Sequence, residues 1–309
     1  MTESDTQPLA YPPPRSAAIT AVVVFRNERD DLARSLPALR FCDEVIAVNM
    51  ASTDGSLDVA KQHADAVYDA PLYRIHEPAR AAAIHLARHD WVLMVDPDEV
   101  FPPSLCRSIV EAMPPAENVG LMAFPMWYYL ADRRLEGSYW GRLMYMKRLI
   151  HRGRCVIHPQ CHSRPELAEG MSEARIEHDG ENHIRHYWSP SYADLLMRHF
   201  WRYPRADAAS KVAGGERLTW DKALRQPWRC FRSSFRTCDG WRDFPRGWIL
   251  SLIYGGYQVA SHWPMLWYQA FGVPDAVAES PTPPTLTRRW MRGGEEAVGR
   301  ADASPRAAA

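Results

Sequence analysis

Residues 91–99 read Trp91-Val92-Leu93-Met94-Val95-Asp96-Pro97-Asp98-Glu99, an apolar run that ends in three carboxylates. The run predicts a strand covered on both faces, because continuous apolar residues suit that environment. In an open α/β sheet, ligands bind outside the carboxyl ends of the strands. The acids that follow this strand are therefore expected where a substrate binds.

Asp96 and Asp98 are the predicted metal ligands of this segment. They lie two residues apart and project on the same side of an extended chain. Two hard oxygen ligands can share one divalent cation, which commonly also holds substrate phosphates. We therefore predict Mg²⁺ or Mn²⁺ at Asp96 and Asp98. The alternative is a solvated acidic turn whose bend is set by Pro97.

The chain around this segment alternates strand and helix patterns from Ala18 onward. Three further apolar runs predict strands, at residues 19–25, 45–48 and 66–68. Three stretches between the strands predict helices, at residues 27–39, 57–64 and 78–88. Parallel strands need crossover connections of this kind, so we predict a Rossmann-like α/β fold with a mainly parallel sheet. No Gly-x-Gly-x-x-Gly follows a strand, which argues against a dinucleotide cofactor.

Composition limits the classes of partner and compartment. The chain has 37 basic and 37 acidic side chains, and this zero formal charge argues against nucleic acid as the main partner. The six cysteines form no Cys-x-x-Cys pair, which favours a reducing compartment over a zinc site or disulfide framework. Residues 1–17 lack the features of a signal peptide. Together with the tail at 276–309, they are expected to be disordered.

Several short motifs occur in an order that resembles family 2 glycosyltransferases. They are Val22–Glu28, Val45–Gly55, Arg80, Asp96–Glu99, Tyr139-Trp140, Lys147–Leu149, His162, His186–Trp188, Tyr203 and Asp239-Gly240. The likeness is closest to the bacterial branch that includes lipopolysaccharide-core glucosyltransferases. It implies a nucleotide-sugar-binding GT-A domain at residues 18–188, with a donor half at 18–100 and an acceptor half at 101–188.

The resemblance implies a donor site at the ends of the first two strands. Phe25, Asn27 and Glu28 would hold the nucleoside, together with Asn49. Family members usually have an aspartate at the position of Asn49. Arg80 would pair with the donor diphosphate, because a guanidinium fork suits phosphate oxygens.

The resemblance also adds residues around the predicted metal. Asp96 would contribute to donor binding as well as to the metal site. His186 would return from beyond the sheet as a third ligand, which favours Mn²⁺ because imidazole binds that ion readily. Glu99 would orient the loop or meet the donor sugar. The alternative for His186 is a histidine satisfied within a loop.

Two residues are candidates for the catalytic base, His162 and Glu166. Either could deprotonate an acceptor hydroxyl if it lies within hydrogen-bond reach. Related sequences often have a glutamate directly after the histidine that matches His162, whereas this chain has Ser163 there. Both candidates therefore stay open.

Residues 189–275 predict a helical region at a membrane interface. Between Asp221 and Leu250, seven basic side chains stand against three acidic ones and are interleaved with tryptophan and phenylalanine. Arginine and tryptophan on amphipathic helices suit the headgroup level of an anionic bilayer. Residues 247–274 lack formal charge and are long enough to span, but their polar residues favour interfacial contact.

The function expected from these patterns is that of a metal-dependent, inverting glycosyltransferase. Its donor would be a nucleoside-diphosphate sugar, with a UDP-sugar favoured, and its acceptor a glycan or lipid-linked molecule. The protein would be cytoplasmic and peripheral on the inner face of the cytoplasmic membrane. The rivals are a metal-dependent nucleotidyltransferase or phosphohydrolase, and a non-catalytic scaffold that binds glycans or membranes.

Overall fold

The computed structural model describes residues 17–73, 75–157, 165–274, 283–293 and 299–300. The chain divides into two compact units. Among the described residues, the first unit comprises 17–126, 145–186 and those from 283 onward, and the second comprises 127–144 and 187–274. These bounds differ from the predicted division at residue 188, because residues 127–144 group with the second unit.

Strands and helices follow one another along the described chain. The strands are β1 (Ile19–Phe25), β2 (Glu44–Asn49), β3 (Ala66–Asp69), β4 (Trp91–Val95), β5 (Glu99–Val100), β6 (Val119–Leu130), β7 (Arg133–Arg134), β8 (Met144–His151), β9 (Cys155–Val156), β10 (Glu166–Leu167), β11 (Ser172–Arg175), β12 (Ile184–Ser189), β13 (Thr287–Met291) and β14 (Gly299–Arg300). The α-helices are α1 (Arg29–Ser35), α2 (Ser56–His63), α3 (Glu77–Leu86), α4 (Pro103–Glu111), α5 (Tyr192–Met197), α6 (Tyr203–Ala213), α7 (Trp220–Arg232) and α8 (Arg246–Phe271).

The main sheet has the strand order β14-β13-β3-β2-β1-β4-β8-β6-β12-β5. Its centre is parallel, with β1 paired to both β2 and β4, and β2 paired to β3. The flanking pairs β4–β8, β3–β13 and β5–β12 are antiparallel. Strands β7 and β11 also pair with β6, and β9 with β10 forms a separate hairpin. The predicted α/β pattern with parallel central strands is confirmed.

Strand register brings the carboxyl ends of the central strands to one edge. Phe25 of β1 pairs with Asn49 of β2, which in turn pairs with Asp69 of β3. Val23 of β1 pairs with Val95 of β4, so Asp96 follows at the same edge. The strands are apolar and buried along their length, and this burial fixes the register. The edge therefore gathers the polar residues that follow each strand.

The helix predicted at residues 27–39 is shorter in the structure. Helix α1 covers Arg29–Ser35, and a 3-10 helix over Leu36–Phe41 follows it. Pro37 lies at the start of that second helix, where its missing N–H costs no intrahelical hydrogen bond. Asn27 has a φ of 53°, a left-handed conformation that asparagine tolerates and that belongs to a loop.

Part of the tail predicted to be disordered forms a strand. Residues 287–291 pair antiparallel with β3, which would otherwise end the sheet on that side. Arg289 forms an ion pair with Asp69, and Arg292 Nη1 lies 3.3 Å from Asp65 Oδ1. Leu286, directly before this strand, is buried in the core, while backbone pairing and ion pairs hold the strand itself. Pairing with a distant strand leaves no pattern in the local composition, so composition did not predict this strand. The N-terminus at residues 1–16 lies outside the described residues.

The second unit is mainly helical. Helices α6 and α7 both pack on α8. Gly255 of α8 allows close approach, because an added Cβ would lie 2.9 Å from the Pro227 carbonyl oxygen and 3.1 Å from the Phe231 Cβ. Ser251 Oγ of α8 also bonds Ser234 Oγ at 2.9 Å. No helix in the described part of the chain is both long enough and apolar enough to cross a membrane.

Candidate active site

Asp96 lies between two guanidinium groups at the carboxyl end of β4. Arg80 of α3 donates to one carboxylate oxygen, and Arg148 Nη2 of β8 lies 2.5 Å from the other. Arg148 also donates to Glu99, whose side chain is fully buried. Two carboxylates and two guanidinium groups are thus paired in a largely buried region, where the Nε atoms of Arg80 and Arg148 make no hydrogen bond. The sequence analysis assigned no role to Arg148, although this residue lies in Lys147–Leu149, one of the motifs that carry the family resemblance.

These contacts set the charge states of the cluster. Burial raises the pKa of the Asp96 carboxyl, but Arg148 and Arg80 outweigh it and hold that pKa well below its usual range. The pKa of Glu99 is raised, because burial and the neighbouring Asp96 outweigh the attraction of Arg148. The pKa of Arg148 is raised by the two carboxylates despite its burial. Asp96 is therefore an ionised carboxylate held in a fixed orientation.

His186 and Asp98 form a second pair beside this cluster. His186 Nε2 lies 3.2 Å from Asp98 Oδ2 although the residues are 88 apart in sequence. Strand β12 makes the contact because His186 pairs with Glu99 of β5, one residue beyond Asp98. Burial lowers the pKa of His186, but Asp98, Glu99 and Asp96 together raise it above its ordinary value. The structure therefore brings together the predicted residues Asp96, Asp98, Glu99 and His186.

Asp98 and His186 stay the predicted ligands of a divalent cation, which would displace the proton that the raised pKa of His186 favours. Among the described residues, no group of three or more His, Cys, Asp or Glu side chains is arranged to hold a metal. Two protein ligands suffice for a cation that completes its coordination with phosphate oxygens and water. An oxygen from Asp98 and a nitrogen from His186 suit Mn²⁺ in particular. Both oxygens of Asp96 contact guanidinium groups in this structure, so its role as a ligand stays a prediction.

The loop after β1 is bonded to the loop after β2. The backbone N–H of Asn27 donates to Ser52 Oγ at 3.1 Å. The side-chain oxygen Oδ1 of Asn27 accepts from the backbone N–H of Thr53 at 2.8 Å. The Glu28 amide donates to Ser56 Oγ at 2.9 Å. The predicted nucleoside residues Asn27 and Glu28 thus lie on a rigid double loop. Phe25 differs, because its side chain is fully buried in the core and offers a ligand no contact surface.

Glu28 has an unusual protonation state. Burial raises its pKa to about 8, and repulsion from Asp98, Asp31 and Asp96 adds to the effect. The backbone N–H of Arg26 donates to Glu28 Oε2 at 3.0 Å and offsets only part of it. The Glu28 carboxyl is therefore largely protonated at neutral pH, where it can donate a hydrogen bond.

A polar chain crosses the ends of β2, β3 and β13. Asn49 Nδ2 donates to Asp69 Oδ1 at 2.9 Å, and Asn49 Oδ1 accepts from the Ser52 amide at 2.9 Å. Arg289 donates to the second oxygen of Asp69. Both ends of the Asn49 amide are thus engaged. Sequence reasoning missed Asp69 and Arg289, although the position of Asp69 after the third strand was a usable signal.

Of the two candidate bases, the structure describes Glu166 but not His162. His162 lies outside the described residues. Glu166 lies in β10 and is exposed to solvent in the β9–β10 hairpin. Their roles stay predictions.

Comparisons with known proteins support the fold described above. Residues 20–164 match the family described as Glycosyl transferase family 2. The fold is similar to that of the mannosyltransferase PcManGT from Pyrobaculum calidifontis, solved with GDP-Man and Mn²⁺, with a TM-score of 0.50 and 14% identity over 85% of this chain and 92% of that chain. The alternation of strands and helices that predicted the fold therefore has a counterpart along almost the whole of that protein.

Two synthases of known structure match a smaller part of this chain. They are glucosyl-3-phosphoglycerate synthase from Mycobacterium tuberculosis and mannosyl-3-phosphoglycerate synthase from Rubrobacter xylanophilus, each 19% identical, with TM-scores of 0.29 and 0.28. The matches cover 37% of this chain and 44% and 40% of theirs, so this chain matches less than half of their length. The predicted glycosyltransferase class and GT-A fold are confirmed by the family match and the mannosyltransferase fold. The match to Glycosyl transferase family 2 covers residues 20–164, just under half of the chain, and together with the fold it identifies the chain as a glycosyltransferase.

Proposed function

We propose that this protein is a metal-dependent, inverting glycosyltransferase that uses a nucleoside-diphosphate sugar. The observation that carries the proposal is the Asp98–His186 pair at the edge of the sheet, where a histidine from beyond the family match meets an aspartate within it. Arg80 lies beside it and can meet a donor diphosphate with its guanidinium group. A UDP-sugar is the favoured donor, and Mg²⁺ or Mn²⁺ the favoured cation.

The charge and position of each residue determine its proposed role. Asp98 and His186 would hold the cation, which when bound would offset charge on the departing diphosphate. Asp96, ionised and fixed by Arg80 and Arg148, can accept hydrogen bonds from donor hydroxyl groups. Glu99 keeps the loop in place through Arg148. Fixed donors and acceptors of this kind cost little reorganisation during reaction.

An inverting displacement also needs a base at the acceptor hydroxyl. His162 and Glu166 are proposed for this role because both follow the β8 segment that carries Arg148. Substitution by Gln or Ala should reduce kcat for transfer while leaving donor binding unchanged, since the base does not touch the nucleotide. A variant with normal transfer would eliminate that residue.

The acceptor is proposed to be a glycan or lipid-linked molecule at the cytoplasmic face of the membrane. Two features support this location. The sequence resembles the lipopolysaccharide-core branch, and the second unit exposes many large apolar side chains, among them Trp201, Trp228 and Trp263. Such exposed groups are unusual on monomeric soluble proteins and mark interaction surfaces.

A donor screen tests the proposed function directly. UDP-, GDP- and other nucleotide sugars would be assayed with Mn²⁺ and Mg²⁺ for release of nucleoside diphosphate and for thermal stabilisation, since a bound ligand raises stability by mass action. Asp98→Asn should abolish metal-dependent release, whereas the exposed Asp58→Asn should not. Release of pyrophosphate or phosphate would favour the nucleotidyltransferase or phosphohydrolase. Absence of any donor effect would favour the scaffold.

A further inference from the structure

Helix α7 carries an exposed apolar stripe. Trp220, Leu224 and Trp228 are spaced by four residues and so lie on one side of the helix. Their relative exposures are 66%, 75% and 63%. None of the thirteen residues of α7 is buried, although one side of the helix packs on α8. An apolar helix side that faces solvent indicates an interaction surface.

A basic flank runs beside this stripe. Lys222, Arg225, Arg229, Arg232 and Arg236 are all exposed. The acidic residue within Trp220–Thr237 is Asp221, which pairs with Arg225 at 2.6 Å. Five basic residues against one acid give the segment a formal charge of +4. The flank therefore favours an anionic partner.

Helix α8 carries a second apolar stripe on the side away from its packing. Its buried side includes Gly255 and Ser251, which contact the α7 region. The exposed positions are Trp248, Leu252, Val259, Trp263, Trp267 and Phe271. The formally charged residue of this 26-residue helix is Arg246, at its first position. The stripe thus offers apolar contact with almost no charge.

We propose that the exposed stripes of α7 and α8, with the basic flank of α7, dock on an anionic lipid bilayer. We call these residues the membrane face. The inference deepens the location part of the proposed function by naming the surface and its partner. Tryptophan suits the headgroup level, and arginine attracts anionic lipid. Both helices then lie in the interface plane, consistent with the lack of a spanning helix among the described residues.

The charge of the membrane face argues against a second copy of this protein as the partner that covers it. A two-fold contact places the same patch of each subunit against its counterpart. The basic flanks would then face each other, and like charges across an interface are costly. An anionic bilayer meets both the stripes and the flank.

Co-sedimentation with vesicles tests the proposal. The full chain would be mixed with vesicles of phosphatidylglycerol and phosphatidylcholine, or of phosphatidylcholine alone, at low and high salt. Wild-type protein should bind the anionic vesicles and be partly released by salt. Arg225→Gln with Arg229→Gln should lower anionic partitioning by about tenfold or more. Trp228→Ser with Trp263→Ser should lower partitioning on both vesicle types.

Matched controls come from the first unit. Arg40→Gln and Leu72→Ser remove an exposed cation and an exposed apolar group there, and should bind like wild type. Equal partitioning of all variants would overturn the proposal. So would a self-association in sedimentation velocity that the membrane-face variants abolish, because it would assign these stripes to a second copy. Donor turnover without vesicles is measured separately, so failure of one proposal is not failure of the other.

Discussion

At the scale of single residues, Arg148 connects the two acids of the site to the sheet. Its side chain is 8% exposed and contacts both Asp96 and Glu99. Removing one member of such a cluster leaves the others buried without a counter-charge. Arg148 therefore stabilises the fold and fixes the loop that carries Asp98.

We expect Arg148→Ala to lower the free energy of unfolding by about 3–5 kcal/mol. Arg225→Ala breaks an exposed i,i+4 pair with Asp221 and should cost at most about 0.5 kcal/mol. Urea denaturation of both variants measures the difference. Similar small losses in both would show that the buried cluster is not a stabilising unit.

Glu28 predicts a pH dependence of stability. Its folded pKa of about 8 lies above its ordinary value of 4.5, so the unfolded chain ionises first. Its contribution is fully present below about pH 4.5 and is lost as pH rises towards the folded value of about 8. Glu28→Gln should remove this loss, so the variant gains stability relative to wild type between pH 5 and 8, on the order of several kcal/mol at most.

Chemical denaturation at the two ends of this range measures the effect. The exposed Glu117→Gln serves as the control and should track wild type at both pH values. An equal change in the free energy of unfolding between the two pH values for Glu28→Gln and wild type would mean that Glu28 ionises normally in the folded protein.

At the scale of elements, β13 completes the donor edge of the sheet. It brings Arg289 to Asp69, which in turn bonds Asn49 at the end of β2. The C-terminal segment thereby orients two polar groups at the predicted nucleoside site. Its contribution would act on donor binding rather than on the reacting atoms.

Arg289→Ala should therefore raise the donor KM on the order of tenfold with little change in kcat, the scale of one hydrogen bond to a charged group. Arg288→Ala is the matched control, because Arg288 lies in the same strand but pairs with Tyr68 of β3 rather than with Asp69. Steady-state kinetics over a range of donor concentrations separates the two parameters. A loss confined to kcat would contradict this role.

The elements also show what sequence could predict. Strands β1 to β4 and the helices between them were accessible because each has a local apolar pattern. Strand β13 was not, since its stability comes from pairing with β3 about 220 residues earlier, as the Arg289–Asp69 contact shows. Asp98 was predicted from its place after a buried strand and His186 from the family resemblance, whereas Arg148 has no local pattern that reveals its partners.

At the scale of the whole molecule, the residues that match family 2 and the exposed apolar stripes lie in different parts of the chain. The family match ends at residue 164, and the membrane face lies beyond residue 219. Catalysis and membrane attachment are therefore assigned to different residues. Variants of the membrane face should retain turnover of a water-soluble donor by hydrolysis, measured without vesicles. Loss of that hydrolysis would show that the two properties are not separable.

The central claim is that Asp98 and His186 hold the cation that binds the donor diphosphate. Calorimetric titration of Mn²⁺ in the presence of UDP tests it most directly. Asp98→Asn and His186→Ala should each weaken Mn²⁺ binding by at least about tenfold, while the exposed His85→Ala should bind like wild type. Unchanged Mn²⁺ affinity in both site variants would contradict this assignment and place the cation elsewhere.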